Sequence, residues 1–201
     1  MKISIVTATW NSGATLRHTM RSVLSQSYSN IEHIIVDGGS TDNTMEIVHE
    51  LEPEYQGRLR HISERDKGIY DAMNKGIAMA TGDVIGILNS DDFYTSPDVL
   101  EQVAKVMADS EIDAVYGDIH YVNDDDLNKC VRYYSSRIFS RKLMQLGFMP
   151  AHPSFYCRKS VYDRFGTFSL DYKIGADFEN LLRLIFVNHI RTKYIKKDFV
   201  T

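Results

Sequence analysis

Apolar residues recur along the chain in two rhythms that alternate. Short, nearly unbroken apolar runs at residues 3–9, 31–36, 59–63 and 84–88 read as strands buried on both faces. Between them, Leu16, Met20, Val23 and Leu24 fall at helical spacing and predict an amphipathic helix over 13–26, after the Asn11-Ser12-Gly13 break. Met45, Ile47, Val48 and Leu51 mark a second helix, and Ile69, Met73, Ile77 and Ala80 a third, closed by Gly82. Ser96-Pro97-Asp98 reads as a helix start with Ser96 as the cap, and apolar positions from Val99 to Met107 carry that helix to about residue 109.

The rhythm changes after residue 111. A long strand over 114–122, a turn at Asp124-Asp125-Asp126 and a returning strand over 129–134 predict a hairpin. Residues 137–150 show no clear period. A strand over 152–157, a short helix over 160–165 ended by Gly166, an apolar helix opening at Gly175-Ala176-Asp177 and a final strand over 192–200 complete the pattern. The chain stops without a closing element, which suggests truncation at the C-terminal side.

Strand and helix alternation with short connections predicts an α/β fold: a mostly parallel sheet, right-handed crossovers and helices on both faces. The polar clusters at 7–11, 37–40, 64–68 and 89–92 all follow strands, so they gather in one crevice at the carboxyl edge of the sheet. The divide falls near residue 111, with a first half over 1–111 and a smaller portion of the same domain over 112–201.

Composition narrows the setting. The 201 residues suit one domain with a sizeable core. No apolar run approaches a membrane span, the first residues enter a strand without a signal-peptide pattern, and Cys130 and Cys157 stand far apart, so a reduced, cytoplasmic chain is expected. The seven His show no metal-ligand spacing, so zinc is not expected. The net charge of −4 divides unevenly. Residues 1–127 hold 9 Lys and Arg against 22 Asp and Glu, a net of −13; residues 128–201 hold 14 against 5, a net of +9, with 14 of the 22 aromatic residues. The basic, aromatic portion suits contact with an anionic membrane surface or an anionic amphiphile, although the same residues also suit a core ringed by solvated charges. No nucleic-acid partner is expected.

The chemistry concentrates where the fourth strand ends in Asn89-Ser90-Asp91-Asp92. Two adjacent carboxylates at the end of a buried strand call for a cation, and a hard divalent ion shared with ligand phosphates would serve; a solvated turn is the plainer reading. Thr7 and Asp37 join this crevice. Asp37 can accept from the N–H and hydroxyl groups of a nucleoside, and Arg65 and Lys67 offer positive charge to a diphosphate. Neither GxGxxG nor GxxxxGK[ST] occurs, so a phosphate would be held by metal and side chains.

These blocks resemble the inverting, metal-dependent family 2 glycosyltransferases of the GT-A fold, of the kind found in bacterial surface-polysaccharide biosynthesis. The resemblance runs from Ile3 to about Leu184 through Ile5-Val6-Thr7-Ala8-Thr9-Trp10-Asn11, Val36-Asp37-Gly38-Gly39-Ser40-Thr41-Asp42, Asp66-Lys67-Gly68-Ile69-Tyr70-Asp71-Ala72-Met73-Asn74-Lys75-Gly76, Leu88-Asn89-Ser90-Asp91-Asp92, His152-Pro153-Ser154-Phe155 and Ala176-Asp177-Phe178. It implies a Rossmann-like GT-A sheet, with residues 1–111 as the nucleotide-sugar half and 112–201 as the acceptor-side portion, and transfer of a sugar from a nucleoside-diphosphate donor, a UDP-sugar above all, to a saccharide or lipid-linked acceptor; joined to the basic, aromatic second segment, it points to a lipid-diphosphate carrier at the inner face of the plasma membrane. By the same resemblance, Thr7, Thr9, Asn11 and Asp37 contact the nucleoside, and Asp66, Lys67 and Asn74 lie near ribose or diphosphate. Asp91 and Asp92 hold Mn²⁺ or Mg²⁺, with Asp91 also touching the donor, and Asp177 is the catalytic base. Asp177 is also placed to cap its helix. His152 suits orientation of acceptor or diphosphate as well as a structural role. Asn89 stands where many members carry Asp, and Met73 where many carry Arg, which leaves diphosphate charge to Lys67, Lys75 and the metal.

Three other chemistries fit these residues less well. A haloacid-dehalogenase-type phosphohydrolase needs a nucleophile and a hydroxyl that 89–93 lack. A nucleotidyltransferase would show a Gly-rich, Arg-containing signature near the first strand, which is absent. A catalytically silent nucleotide-sugar-binding protein is opposed by the intact Asp91, Asp92 and Asp177.

Overall fold

A computed structural model of the chain describes residues 1–123 and 126–201. Four parallel strands form its first half: β1 (Ile3–Thr9), β2 (Ile31–Asp37), β3 (Leu59–Ser63) and β4 (Val84–Ile87). The helices between them are α1 (Leu16–Leu24), α2 (Thr44–Leu51) and α3 (Ile69–Met79), and α4 (Val99–Met107) follows β4. The second half adds β5 (Ala114–Asn123), β6 (Asp126–Tyr134), β7 (Tyr156–Arg158), α5 (Lys159–Phe165), α6 (Ala176–Leu181) and β8 (Thr192–Val200). One eight-stranded sheet runs β3-β2-β1-β4-β7-β5-β6, with β8 beside β5. β7 lies antiparallel between β4 and β5, while β8 is parallel to β5.

Both faces of the central strands are buried, which is why those strands are almost wholly apolar. Ile3 and Ile5 point into a core shared with Leu16, Met20 and Val23 of α1, Ile47, Val48 and Leu51 of α2, and Val99, Leu100 and Val103 of α4. Val6 and Ala8 point the other way, against Ala72, Met73 and Ile77 of α3 and Leu181 and Leu184 around α6. Each such aliphatic side chain contributes about 1.5–3 kcal/mol when removed from water. The approach of α3 to β1 is tight enough to require glycine. A Cβ on Gly76 would sit 2.2 Å from Val6 Cγ1.

Burial carries two polar devices. Glu32 of β2 accepts from Ser4 Oγ (2.6 Å), Lys2 Nζ (2.8 Å) and Thr81 N (2.6 Å). Burial would push its carboxyl up, but these bonds outweigh burial and hold it at about 2. On the other face, Thr7 Oγ1 lies 2.9 Å from His33 Nε2, His33 Nδ1 lies 2.8 Å from Tyr55 Oη, and that hydroxyl donates to the Met20 carbonyl. The chain closes if His33 is neutral with its proton on Nδ1, and burial indeed pushes His33 down to about 3.

Some elements depart from the sequence pattern. Ser96 does not cap α4; its hydroxyl bonds the Asp98 carboxylate (2.8 Å), and Asp98 takes the cap position. The strand expected over 152–157 is a 3-10 turn at His152–Ser154 followed by β7, because Pro153 has no N–H for a ladder. α6 is short and continues through 182–187 at wider spacing, with Asn188 N bonded to Arg183 O at 3.0 Å. Of the turn expected over 124–126, Asp124 and Asp125 lie outside the described residues, and Asp126 opens β6.

Candidate active site

The carboxyl ends of β1, β2 and β3 are drawn together by their own turns. Asp37, fully buried at the end of β2, accepts from Gly39 N (3.1 Å), Ser40 N (3.0 Å), Ser40 Oγ (2.5 Å) and Ser63 Oγ (2.6 Å). Its lone pairs are thus committed to shaping the 38–40 turn. Asn11, at φ +49°, receives Thr41 N on Oδ1 (2.9 Å) and donates its own N–H to Ser40 Oγ (2.7 Å), zipping the β1 loop to the β2 loop. Thr7 stays in the core, bonded to His33, and does not reach the crevice surface. Thr9 is buried with its hydroxyl unpartnered.

Trp10 stands at the mouth of this arrangement, 68% exposed. A Cβ on Gly38 would come within 2.7 Å of Asp66 Oδ2 and 3.5 Å of Trp10 Cδ1, so the indole, the β2 turn and Asp66 converge there. Asp66 also accepts from Gly68 N (2.8 Å), fixing the approach to α3. Lys67 is exposed beside it. Lys75, expected to share in diphosphate binding, is instead paired with Glu64 (2.8 Å) and Asp71 (3.6 Å). Asn74 is also committed: its amide donates to Phe168 O (2.8 Å) and accepts Phe168 N (2.9 Å), fastening the loop before α6 onto α3.

At the end of β4, Asn89 Nδ2 donates to Asp92 Oδ2 (2.8 Å), and Asp92 N donates to Asn89 O (3.1 Å). Ser90 is anchored to the start of α1 through Ser12 Oγ (2.8 Å) and Thr19 Oγ1 (3.0 Å). Burial, and then the charge of exposed Asp91, push Asp92 up to about 7 against the bonds from Asn89. Asn89 Oδ1 is buried and unpartnered. An orphaned oxygen beside two crowded carboxylates is a donor set that a hard cation would complete, so the residues fit Mn²⁺ or Mg²⁺. They line a cleft of about 760 Å³ with His18, Phe93, Ile119, His120, Tyr121 and Pro153.

Pro153 links that cleft to the remaining group. Neighbouring His152 is buried, its Nε2 has no partner, and its ring meets Phe168 edge-on at 5.3 Å. Burial pushes His152 down to about 4, partly countered by the Asp177 carboxylate nearby. Tyr70 of α3 stacks on the same Phe168 ring, at 5.7 Å, and donates its hydroxyl to Asp177 Oδ1 (3.1 Å). Gly175, at φ +85°, holds the cap position of α6, so Asp177 is not the cap. The structure therefore gathers His152, Phe168, Tyr70 and Asp177 in one cluster.

Trp10, Tyr70 and the Asn74–Phe168 pairing carry geometry that sequence reasoning missed. Trp10 is the single Trp of the chain and directly follows a buried parallel strand, which is a usable signal. Nothing in the local pattern links Tyr70 to Asp177, 107 positions away.

A mostly parallel α/β sheet with paired carboxylates at one strand end, and a further carboxylate held by Tyr70 near the start of α6, defines a Rossmann-like α/β class. The model of glycosyl transferase family 2 matches residues 4–165. A PGL/p-HBAD biosynthesis glycosyltransferase of Mycobacterium tuberculosis is 30% identical over 193 residues, covering 96% of this chain and 73% of the relative. An "uncharacterized glycosyltransferase" of the same organism is 34% identical over 188 residues, covering 92% and 69%. Among solved structures, Staphylococcus aureus TarS 1–349 in complex with UDP-GlcNAc superimposes with a TM-score of 0.80 at 20% identity over all of this chain. The mannosyltransferase PcManGT of Pyrobaculum calidifontis, in complex with GDP-Man and Mn²⁺, gives 0.73 at 19% over 98% of it. The chain spans 58% and 55% of those two structures, and 36% of the longer TarS chain. The chain belongs to glycosyl transferase family 2 and is a glycosyltransferase of the GT-A fold.

Proposed function

We propose that the chain transfers a sugar from a nucleoside-diphosphate donor, a UDP-sugar, to a hydroxyl of a saccharide or lipid-diphosphate-linked acceptor, with inversion. The observation that carries this reading is Asp177. It is half-buried and oriented by Tyr70 through Oδ1, and among the described residues Oδ2 accepts no bond. Such a carboxylate can take the proton of an attacking hydroxyl as the donor sugar becomes oxocarbenium-like, in one displacement from the opposite face. The exposed Trp10 ring offers a stacking surface for the base, with Asp37 and Asn11 shaping the loops around it. Lys67, exposed beside Asp66, is a cation available to the diphosphate, and Asp66 is available to the ribose hydroxyls. Asp91 and Asp92, with Asn89 Oδ1, would hold Mn²⁺ or Mg²⁺, which when bound offsets negative charge on the departing diphosphate.

The lipid-linked acceptor is supported by the second half. Ile138, Leu146 and Phe148 are exposed on a segment that also carries Arg137, Arg141 and Lys142, a composition that suits the face of an anionic membrane. No helix among the described residues is long and apolar enough to cross a membrane. Calorimetric titration with UDP, with and without Mn²⁺, tests the donor site. We expect metal-dependent binding that is lost in Asp91→Ala/Asp92→Ala; metal-independent binding of equal strength in that variant would refute the assignment.

A further inference from the structure

A second constellation lies at the outer edge of the sheet. His49 sits in the last turn of α2, and Glu52 opens the 3-10 turn Glu52–Tyr55, whose backbone Pro53 stiffens. His61 is the middle residue of β3, the edge strand. Glu52 Oε2 lies 3.6 Å from His61 Nε2 and 3.9 Å from His49 Nδ1, and the two rings meet edge-on at 5.1 Å. One donor atom from each residue falls within 4.8 Å of the other two.

These separations exceed hydrogen-bond lengths, so the carboxylate faces both imidazoles at ion-pair distance without a hydrogen bond to either. Neighbouring acids are committed elsewhere: Arg17 grips Glu50 with both terminal guanidinium nitrogens, and Arg21 bonds Glu54. Among the described ion pairs Glu52 meets only the two imidazoles. Tetrahedral zinc, with ligand bonds of about 2.0–2.2 Å, spaces its donors about 3.3–3.6 Å apart. His49 and Glu52 are exposed and can close that difference by side-chain rotation, while His61 is held by the strand.

We propose that His49, Glu52 and His61 form a binding site for Zn²⁺, separate from the Asp91–Asp92 pair. Two imidazoles and one carboxylate suit zinc, whereas the oxygen donors at Asn89, Asp91 and Asp92 suit Mg²⁺ or Mn²⁺. Three protein ligands leave a fourth position for water. The bound ion joins the end of α2 to the edge strand, so it stabilises the fold in proportion to its occupancy. His61 is supplied by a different element from the other two ligands, so no sequence spacing announces the set.

The test is calorimetric titration of the chelator-stripped full chain with Zn²⁺ in excess Mg²⁺, paired with thermal unfolding. The expected result is one saturable site, a rise in Tm with Zn²⁺, and unchanged binding in Asp91→Asn/Asp92→Asn and in Cys130→Ser, which removes the exposed thiol. His49→Ala and His61→Ala should each weaken binding more than about 100-fold, beyond the 10–100-fold cost of losing an outer-sphere partner. His49 is exposed, so its replacement leaves the fold intact as a control. Absence of saturable binding overturns the proposal. So does an affinity equal to the parent's in either His variant, which would place zinc elsewhere.

Discussion

Tyr70→Phe isolates one hydrogen bond at the centre of the proposed mechanism. The substitution keeps the ring that stacks on Phe168 and removes only the hydroxyl that donates to Asp177 Oδ1 at 3.1 Å. A hydrogen bond to a charged group contributes about 1.5–3 kcal/mol, and the half-buried setting places this one toward the lower end. A loss of about 1.5–2 kcal/mol in the transition state corresponds to a kcat roughly 10- to 30-fold lower. Tyr70 belongs to the base side of the site, so KM for the donor should change less than about twofold. The assay is release of UDP from a UDP-sugar across a concentration series, with Tm measured on the same preparation. An unchanged kcat would refute the orienting role, and a fall in kcat matched by a large fall in Tm would reduce it to a packing effect.

Three further outcomes follow from the geometry. Trp10→Ala should weaken UDP binding by about 1–3 kcal/mol, the cost of one base–aromatic stack, in calorimetric titration with Tm unchanged. Gly76→Ala, which drives a methyl into Val6, should lower stability by about 1–3 kcal/mol in urea unfolding, whatever it does to helix propensity. Glu32 gives a pH signature. Its folded value of about 2 lies below the ordinary 4.5, so its contribution is complete above pH 4.5 and is lost as pH falls toward 2. Glu32→Gln should be less stable than the parent at pH 7 and should lose less stability between pH 4.5 and 2, read from urea unfolding at each pH.

The first half of the fold was legible because its signals are local. Strands buried on both faces are apolar throughout, and α1 to α4 each carry a periodic stripe. The second half depends on pairings that no local pattern records. β7 has only three residues and gains its place from antiparallel bonds to β4 and β5, so it could not be distinguished from the turn before it. Ser96 looked like a cap, yet in three dimensions a carboxylate two residues away captures its hydroxyl. At the site, sequence order put Thr7 beside the crevice, but strand alternation turns it inward to His33. Asn74 and Lys75 lie within the block that runs from Asp66 to Gly76. What they touch, the Phe168 backbone for one and Glu64 for the other, depends on how α3 packs.

The most direct test of the central claim is donor turnover by Asp177→Asn, measured alongside UDP binding in the presence of Mn²⁺. Asn preserves the shape that Tyr70 addresses but cannot accept the acceptor's proton. Sugar transfer and donor hydrolysis should fall by at least about 100-fold, as loss of a general base does, while UDP binds as in the parent. Turnover within a few-fold of the parent would contradict Asp177 as the base and with it the account of the reaction.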